Sequence, residues 1–342
     1  MNEILVRGAG IAGLTVAYAL ASRGAAVRLI ECRDGLAGCA SWYAGGMLAP
    51  YCERESAEEI IQRRGIQAVD WWDEALPGHV VRAGTLVVAP PRDRTELVRF
   101  ADRTEAHSRV DADEIGALEP DLGTSFPLGL FYPGEAHLEP RKAMFGLLQK
   151  LQDLNVSIQF GVDPEMKIAC EFEIDCRGMG AVLDGQLSNA MRMEPGTGLR
   201  GVRGEMLILR APDISLTRTV RLLHPRIPLY IVPWSDHHFM VGATMIESDG
   251  EGAVTARSMM ELLNAAYSVN PSFGEAEIIE AGVGVRPAYA DNVPRLLKVA
   301  NGFAVNGLYR HGFLLAPILA EAMADWALEN TLDEDFIHET DR

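Results

Sequence analysis

The chain has 342 residues, enough for two domains or one large α/β unit, with 48% hydrophobic and 23% charged residues, close to the soluble globular average. That composition excludes fibrous, disordered and membrane-spanning classes. Its 31 Lys and Arg against 48 Asp and Glu give a net charge of −17, which repels phosphate backbones and anionic lipid and so argues against nucleic-acid or membrane partners. Glycine is abundant at 33 residues, so many tight turns or close backbone approaches are expected. The five cysteines, Cys32, Cys39, Cys52, Cys170 and Cys176, show neither paired nor metal-type spacing. Reduced thiols in a cytoplasmic protein are therefore expected. The apolar stretch over residues 11–20 is broken by Gly13 and followed by Arg23, which fits neither a signal peptide nor a spanning helix.

Residues 3–6 read as a short buried strand, followed by Gly8-Ala-Gly10-Ile-Ala-Gly13, a helical run to Arg23, Gly24 as its stop, and a second strand over 26–30 that ends in Glu31. This is a β-turn-α-β unit with GxGxxG in the turn. Gly8 allows the tight turn, Gly10 lets a pyrophosphate reach the backbone, and Gly13 lets helix and strand pack closely. The helix N-terminus offers unpaired N–H groups to phosphate, and Glu31 can accept from an adenosine ribose. Arg7, at a normally apolar position, is expected to lean out beside the adenosine. The fingerprint does not separate NAD from FAD, but its place at the N-terminus without a second copy favours tightly held FAD.

Ser56-Ala-Glu-Glu59 has the pattern of a capping box opening a helix through about residue 75, with Trp71 and Trp72 packing into the core. Residues 84–89 read as a buried strand, and Pro140 as the first residue of a helix through about residue 154. The alternating stretch 171–175 followed by Gly178-Met-Gly180 reads as a late strand that reaches the cofactor. Stretches 205–209, 230–233 and 238–242 read as strands of a mainly antiparallel sheet. His237 and His238 are adjacent and face opposite ways, so a turn is expected there and not a metal site. Asp291 is expected to cap a turn. Pro317 is tolerable only near the first turn of the last helix, which places its start near Phe313. The chain thus alternates between α/β and strand-rich segments. The expected architecture is α/β: a Rossmann-like dinucleotide-binding domain (1–77, 136–200 and 284–342) interleaved with a mainly antiparallel α+β substrate domain (78–135 and 201–283).

Ala40-Ser-Trp-Tyr-Ala-Gly-Gly-Met-Leu-Ala-Pro50, with Glu53 beyond it, resembles the small-residue loop that follows the second strand in the FAD-dependent D-amino-acid oxidase family. Within that family the likeness is to the glycine oxidase branch of thiamine biosynthesis. Further matches keep the family order: His137-Leu-Glu-Pro140, Asp175-Cys-Arg-Gly178, Arg200-Gly-Val-Arg-Gly-Glu-Met206, Tyr230-Ile-Val-Pro233, Val241-Gly-Ala-Thr-Met245, Gly284-Val-Arg-Pro287 and Tyr309-Arg-His-Gly-Phe-Leu-Leu-Ala-Pro317. They span nearly the whole chain.

The resemblance implies non-covalent FAD held by Gly8, Gly10, Ile11, Ala12, Gly13, Glu31, Cys32, Ala40, Ser41, Gly45, Gly46, Met47, Val162, Gly178 and the run Leu308, Tyr309, Arg310, His311, Gly312, Phe313 and Leu314. It implies that Arg286 pairs with a substrate carboxylate, a task suited to a planar fork that stays charged when desolvated. Tyr230 would add a hydroxyl, Met245 an apolar wall, and Arg310 a second cation. No catalytic acid or base is required: the implied reaction is hydride loss from a small amino acid, glycine foremost, to flavin N5, giving an imino acid that feeds the thiamine thiazole and, with molecular oxygen, hydrogen peroxide. The sequence departs from the family at Leu308, where histidine is frequent, and at His311, where asparagine is. A flavin dehydrogenase for a D-amino acid or proline analogue and a non-catalytic dinucleotide-binding protein are the alternatives. Homo-oligomerisation is left open.

Overall fold

The computed structural model describes residues 3–123, 125–183, 198–224, 229–299 and 302–338. Its N-terminal strand Ile4–Arg7 is buried along its whole length and sits near the middle of a seven-stranded sheet. On one side lie Val27–Ile30 and Ser157–Gln159, on the other Glu173–Asp175 and Gly302–Asn306, all parallel to their neighbours. Arg295–Val299 runs antiparallel at the outer flank, and Ile337–His338 adds a short parallel edge. A parallel sheet needs helices over its faces. Here the fingerprint helix Ile11–Ser22 and the last helix Gly312–Glu329 pack against each other over it, and Thr15 Oγ1 donates to the Ala316 carbonyl at 3.2 Å. Both helices are apolar on nearly every side because both are buried, as expected of helices inside a core.

A nine-stranded sheet carries most of segments 78–135 and 201–283. Its strands, among them Arg200–Arg210, Leu229–Pro233 and His238–Gly242, pair antiparallel, except that Thr219–Leu222 runs parallel to Thr85–Val88. The twelve-residue strand Glu277–Ala288 pairs along Arg200–Arg210 as far as Ala288, so the expected boundary at 283/284 falls inside a strand of this sheet. A small sheet of Met47–Leu48, Ala136–Leu138 and Val80–Val81 joins the chain crossings between the two larger sheets. The main cavity opens between those larger sheets. Among the described residues, no helix is long and apolar enough to cross a membrane, and all five cysteines are free thiols.

The helix expected to open at Ser56 differs in the structure. Two helices, Glu59–Gly65 and Ala68–Ala75, replace it, and no side chain caps either start. A β-carbon at Gly65 would press on the Leu314 side chain at 2.9 Å, so the first helix ends where it meets the last one, and Ser56 serves elsewhere. A true capping box forms instead at Asp111 and Glu114. Pro140 does open its helix, Pro140–Asp153, and Asp291 Oδ1 accepts the Val293 N–H at 3.1 Å.

The last helix begins at Gly312, so Pro317 is its sixth residue and removes the N–H that would bond to the Phe313 carbonyl. Trp72 supplies the replacement: its indole Nε1–H donates to that carbonyl at 2.8 Å, and its ring stacks on Phe313 at 5.8 Å. The helix therefore keeps a proline in its second turn without an orphaned buried acceptor. Trp72→Phe preserves most of the packing and removes only this donor. It is expected to lower stability by about 1–3 kcal/mol, read from the denaturant midpoint, and Pro317→Ala in the same chain should return part of the loss.

Candidate active site

The two larger sheets enclose one long cavity of about 1240 Å³. At one end lies the GxGxxG turn. A β-carbon at Gly13 would overlap the Gly8 carbonyl oxygen, and one at Gly8 would stand 2.8 Å from the Cys176 carbonyl oxygen. Those two glycines satisfy packing between turn, helix and strand. Gly10 and Gly312 differ, since both line the cavity and a β-carbon there would meet protein no closer than 3.5 Å and 3.4 Å. Protein packing does not require them to be bare, whereas a bound group lying against the backbone would. The first turns of the fingerprint helix and the last helix both face the cavity at these glycines, with N–H groups that have no intrahelical acceptor. Ile11 N–H is met by Ser41 Oγ at 3.0 Å.

Glu31 is buried at the same end, where its Oε2 accepts the Ala9 N–H at 2.7 Å and its Oε1 the Arg33 N–H at 3.0 Å. Oε1 also takes Arg33 Nη1 at 3.0 Å and Cys32 Sγ at 3.2 Å, so the carboxylate is fixed in place and only Oε2, with one donor, keeps an acceptor position for a sugar hydroxyl. Arg7 does not lean toward this end. Its Nε pairs with Glu173 at 2.7 Å and its Nη2 donates to the Met166 carbonyl at 2.8 Å, a buried tie across the sheet. Val162 also lies outside the cavity lining, and its N–H donates to the Glu31 carbonyl at 3.0 Å. Every other residue expected at the cofactor, apart from Gly13, lines the cavity.

At the opposite end Arg286, Arg310, Tyr230 and Met245 line the same space. Arg286 Nη1 donates to the Thr244 carbonyl at 3.2 Å, and no carboxylate among the described residues pairs with it. Arg310 is already engaged: Nε lies 2.8 Å from Glu53 Oε2 and Nη2 donates to Ser56 Oγ at 2.6 Å. Met245 is half exposed at the rim, with its sulfur 3.5 Å from the Tyr309 hydroxyl and 3.7 Å from Arg310 Nη1. Burial pushes the Tyr230 phenol up and Arg286 opposes it, so Tyr230 stays a neutral donor.

Glu53 and Arg221 carry much of this end, although sequence reasoning assigned neither a role. Glu53 Oε1 accepts from Arg221 Nη1 at 3.1 Å, and Glu53 Oε2 lies 3.3 Å from His311 Nδ1. Burial alone would raise the Glu53 carboxyl, but Arg310, Arg221 and His311 outweigh it and hold it at about 2. Burial lowers His311 to about 4, with Glu53 opposing, so the imidazole is neutral at physiological pH. Arg221 stands directly across the ladder from Tyr230. That cross-strand neighbour is the signal that would have found it.

Residues 3–326 match the family described as FAD dependent oxidoreductase (DAO). The chain belongs to that family. A Rhizobium etli protein named "Putative thiamine biosynthesis oxidoreductase ThiO" is 54% identical over 323 residues, 94% of this chain and 95% of that one. A Bacillus licheniformis glycine oxidase is 26% identical over 98% of this chain and 95% of its own length. The crystal structure of glycine oxidase from Bacillus cereus shares the fold, with a TM-score of 0.80 at 22% identity over 97% of this chain and 96% of that one. The protein is thus an FAD-dependent oxidoreductase, and the bare glycines at both helix starts fit that cofactor.

Glu135, beneath this end, carries a pH prediction. It is buried, and its Oε1 accepts the Cys52 N–H at 2.7 Å. Burial raises its carboxyl to about 7 against hydrogen bonds and Arg221. Because the folded value lies above the ordinary 4.5, the stability from this group is present below that value and lost as pH rises toward about 7. Glu135→Gln keeps an acceptor for Cys52 and removes the charge. Its melting temperature should rise relative to the parent at pH 8 and not at pH 4.5.

Proposed function

We propose that this protein oxidatively deaminates a small amino acid, with glycine the leading candidate, in the cytoplasm, and supplies the resulting imino acid to thiamine thiazole formation. FAD held along the cavity against Gly10 and Gly312 would supply the two-electron redox chemistry, with the substrate Cα–H lost as hydride and the electrons passed on to molecular oxygen to give hydrogen peroxide. The observation that carries this reading is Arg286. It is a guanidinium at the cavity wall with no carboxylate partner among the described residues, beside the half-buried Tyr230. A charged group of that kind is stable in a confined site when a ligand carboxylate completes it.

The chain's own groups then have defined work. Arg286 and Tyr230 hold the carboxylate and fix which Cα–H bond faces inward, which supplies orientation in place of acid–base catalysis. Arg310 stays fixed by Glu53 and does not compete for the carboxylate. Neutral His311 next to Glu53 carries no acidic proton, so a substrate that has released its ammonium proton to solvent before binding, as hydride loss requires, is not reprotonated there. The first-turn N–H groups of residues 312–314 provide a fixed positive pole for negative charge that develops nearby. The 54% identical ThiO relative and the glycine oxidases support the substrate class. The assignment of segments 1–77, 136–200 and 284–342 to FAD and of the rest to substrate belongs to the same proposal.

The test is anaerobic addition of glycine to the purified holoprotein, which should bleach the flavin absorbance. With air admitted, one hydrogen peroxide should form per glycine consumed. Bleaching without peroxide would favour a dehydrogenase that uses another electron acceptor. A flavin left oxidised by glycine, sarcosine and small D-amino acids alike would overturn the reading. Arg286→Ala should raise KM for glycine by an amount equivalent to about 2–5 kcal/mol while FAD content stays unchanged.

A further inference from the structure

Arg286 owes its placement to a neighbour on the adjacent strand. In the ladder between Arg200–Arg210 and Glu277–Ala288, Val202 stands opposite Arg286 and Gly204 opposite Gly284. Gly204 is therefore the diagonal neighbour of Arg286 on one face of the sheet, within reach of a long side chain. The guanidinium occupies the space where a side chain at 204 would begin. A β-carbon there would stand 2.5 Å from Arg286 Cζ and closer still to Nη2. The φ of Gly204 is not in the left-handed region, so the backbone tolerates any residue and the glycine answers only to this contact.

The support around this seat is stiff. Thr244, whose carbonyl accepts from Arg286, is held through its Oγ1 by the Glu205 N–H at 2.9 Å. The Glu205 carboxylate is buried, accepts the Thr255 N–H at 2.9 Å and pairs with Arg203 at 2.6 Å. Residues 203 and 205 thus anchor the strand on its other face, and the strand cannot yield easily to a bulkier residue at 204.

We infer that Gly204 is a positioning residue for substrate: it lets the Arg286 guanidinium lie flat on the sheet, and so sets the depth at which a substrate carboxylate is held. This rests on the reading of Arg286 as the carboxylate partner. Any side chain at 204 would lift the fork into the cavity and displace the carboxylate relative to the reacting Cα–H, where an error of about 1 Å costs up to about a hundredfold in rate.

The experiment compares Gly204→Ala, Arg286→Lys and the double variant as holoenzymes, with KM for glycine, thermal shift by acetate, and FAD content as readouts. Lysine lacks the two Nη atoms of the rigid fork, and its single ammonium on a flexible stem can turn away from the added methyl. Gly204→Ala alone is expected to weaken glycine and acetate about tenfold with FAD content retained, and to add nothing in the Arg286→Lys background, a non-additivity that a general distortion would not produce. If Gly204→Ala fails to fold or to hold FAD, the double variant is expected to recover both. Equal penalties in the two backgrounds, or a double variant as defective as a failing single one, would overturn the proposal. An unchanged KM in Gly204→Ala beside a raised KM in Arg286→Lys would overturn the seat and leave the carboxylate role intact. No effect of Arg286→Lys on either glycine or acetate would remove that role, and the seat with it.

Discussion

One buried carboxylate ties together the parts that make the site. Glu53 ends the single-turn helix Pro50–Glu53, Arg221 lies in strand Thr219–Leu222 of the nine-stranded sheet, and Arg310 and His311 precede the last helix. All three meet at the two oxygens of Glu53. Removing one partner of such a group leaves a charge buried without compensation, at a cost of about 3–5 kcal/mol. The arrangement therefore persists as a unit. It brings the wall of one sheet and the helix start of the other to one end of the cavity, and it occupies Arg310 and Arg221, while Arg286 pairs with no carboxylate among the described residues.

The second constraint is close approach, and the glycines divide by what approaches them. At Gly8, Gly13 and Gly302 the protein's own backbone fills the space a side chain would take. At Gly282 it is the Tyr43 ring, and at Gly204 the Arg286 guanidinium. At Gly10, Gly180 and Gly312 the absent side chain opens onto the cavity with no protein contact under 3.4 Å behind it, whereas Gly38 and Gly178, equally open, have the positive φ that itself favours glycine. A high glycine count by itself could not separate these cases. The structure separates those whose space the protein itself fills from those that leave the cavity open against the backbone.

The fold was legible where local pattern decides. The β-turn-α-β unit, the proline-opened helix at Pro140 and the mainly antiparallel sheet follow from glycine placement, proline geometry and alternation, and the structure reproduces them. Patterns that local sequence shares with a competitor were misleading. Ser56-Ala-Glu-Glu59 has the letters of a capping box, yet Ser56 Oγ takes a hydrogen bond from Arg310, a residue 254 positions away. Arg7 sits in the fingerprint but pairs with Glu173 across the sheet. In the candidate site, glycine-rich turns announced themselves, whereas Glu53, Arg221 and Thr244 carry no motif, because their function comes from strand register and long-range pairing.

The overall charge of −17 sharpens the meaning of an unpaired cation. In a chain with such an excess of carboxylates, most arginines find one: Arg23, Arg64, Arg141, Arg203, Arg218 and Arg221 all pair with acidic side chains at 3.1 Å or less. For Arg286 to stand at a cavity wall with only a carbonyl for company, the surrounding sheet must exclude acids from its reach, and it does so with Val202, Gly204, Gly284 and Thr244. That local exclusion of carboxylates is what the proposed pairing of Arg286 with a substrate acid requires. A carboxylate at 202, 204 or 284 would supply the internal partner that the sheet withholds.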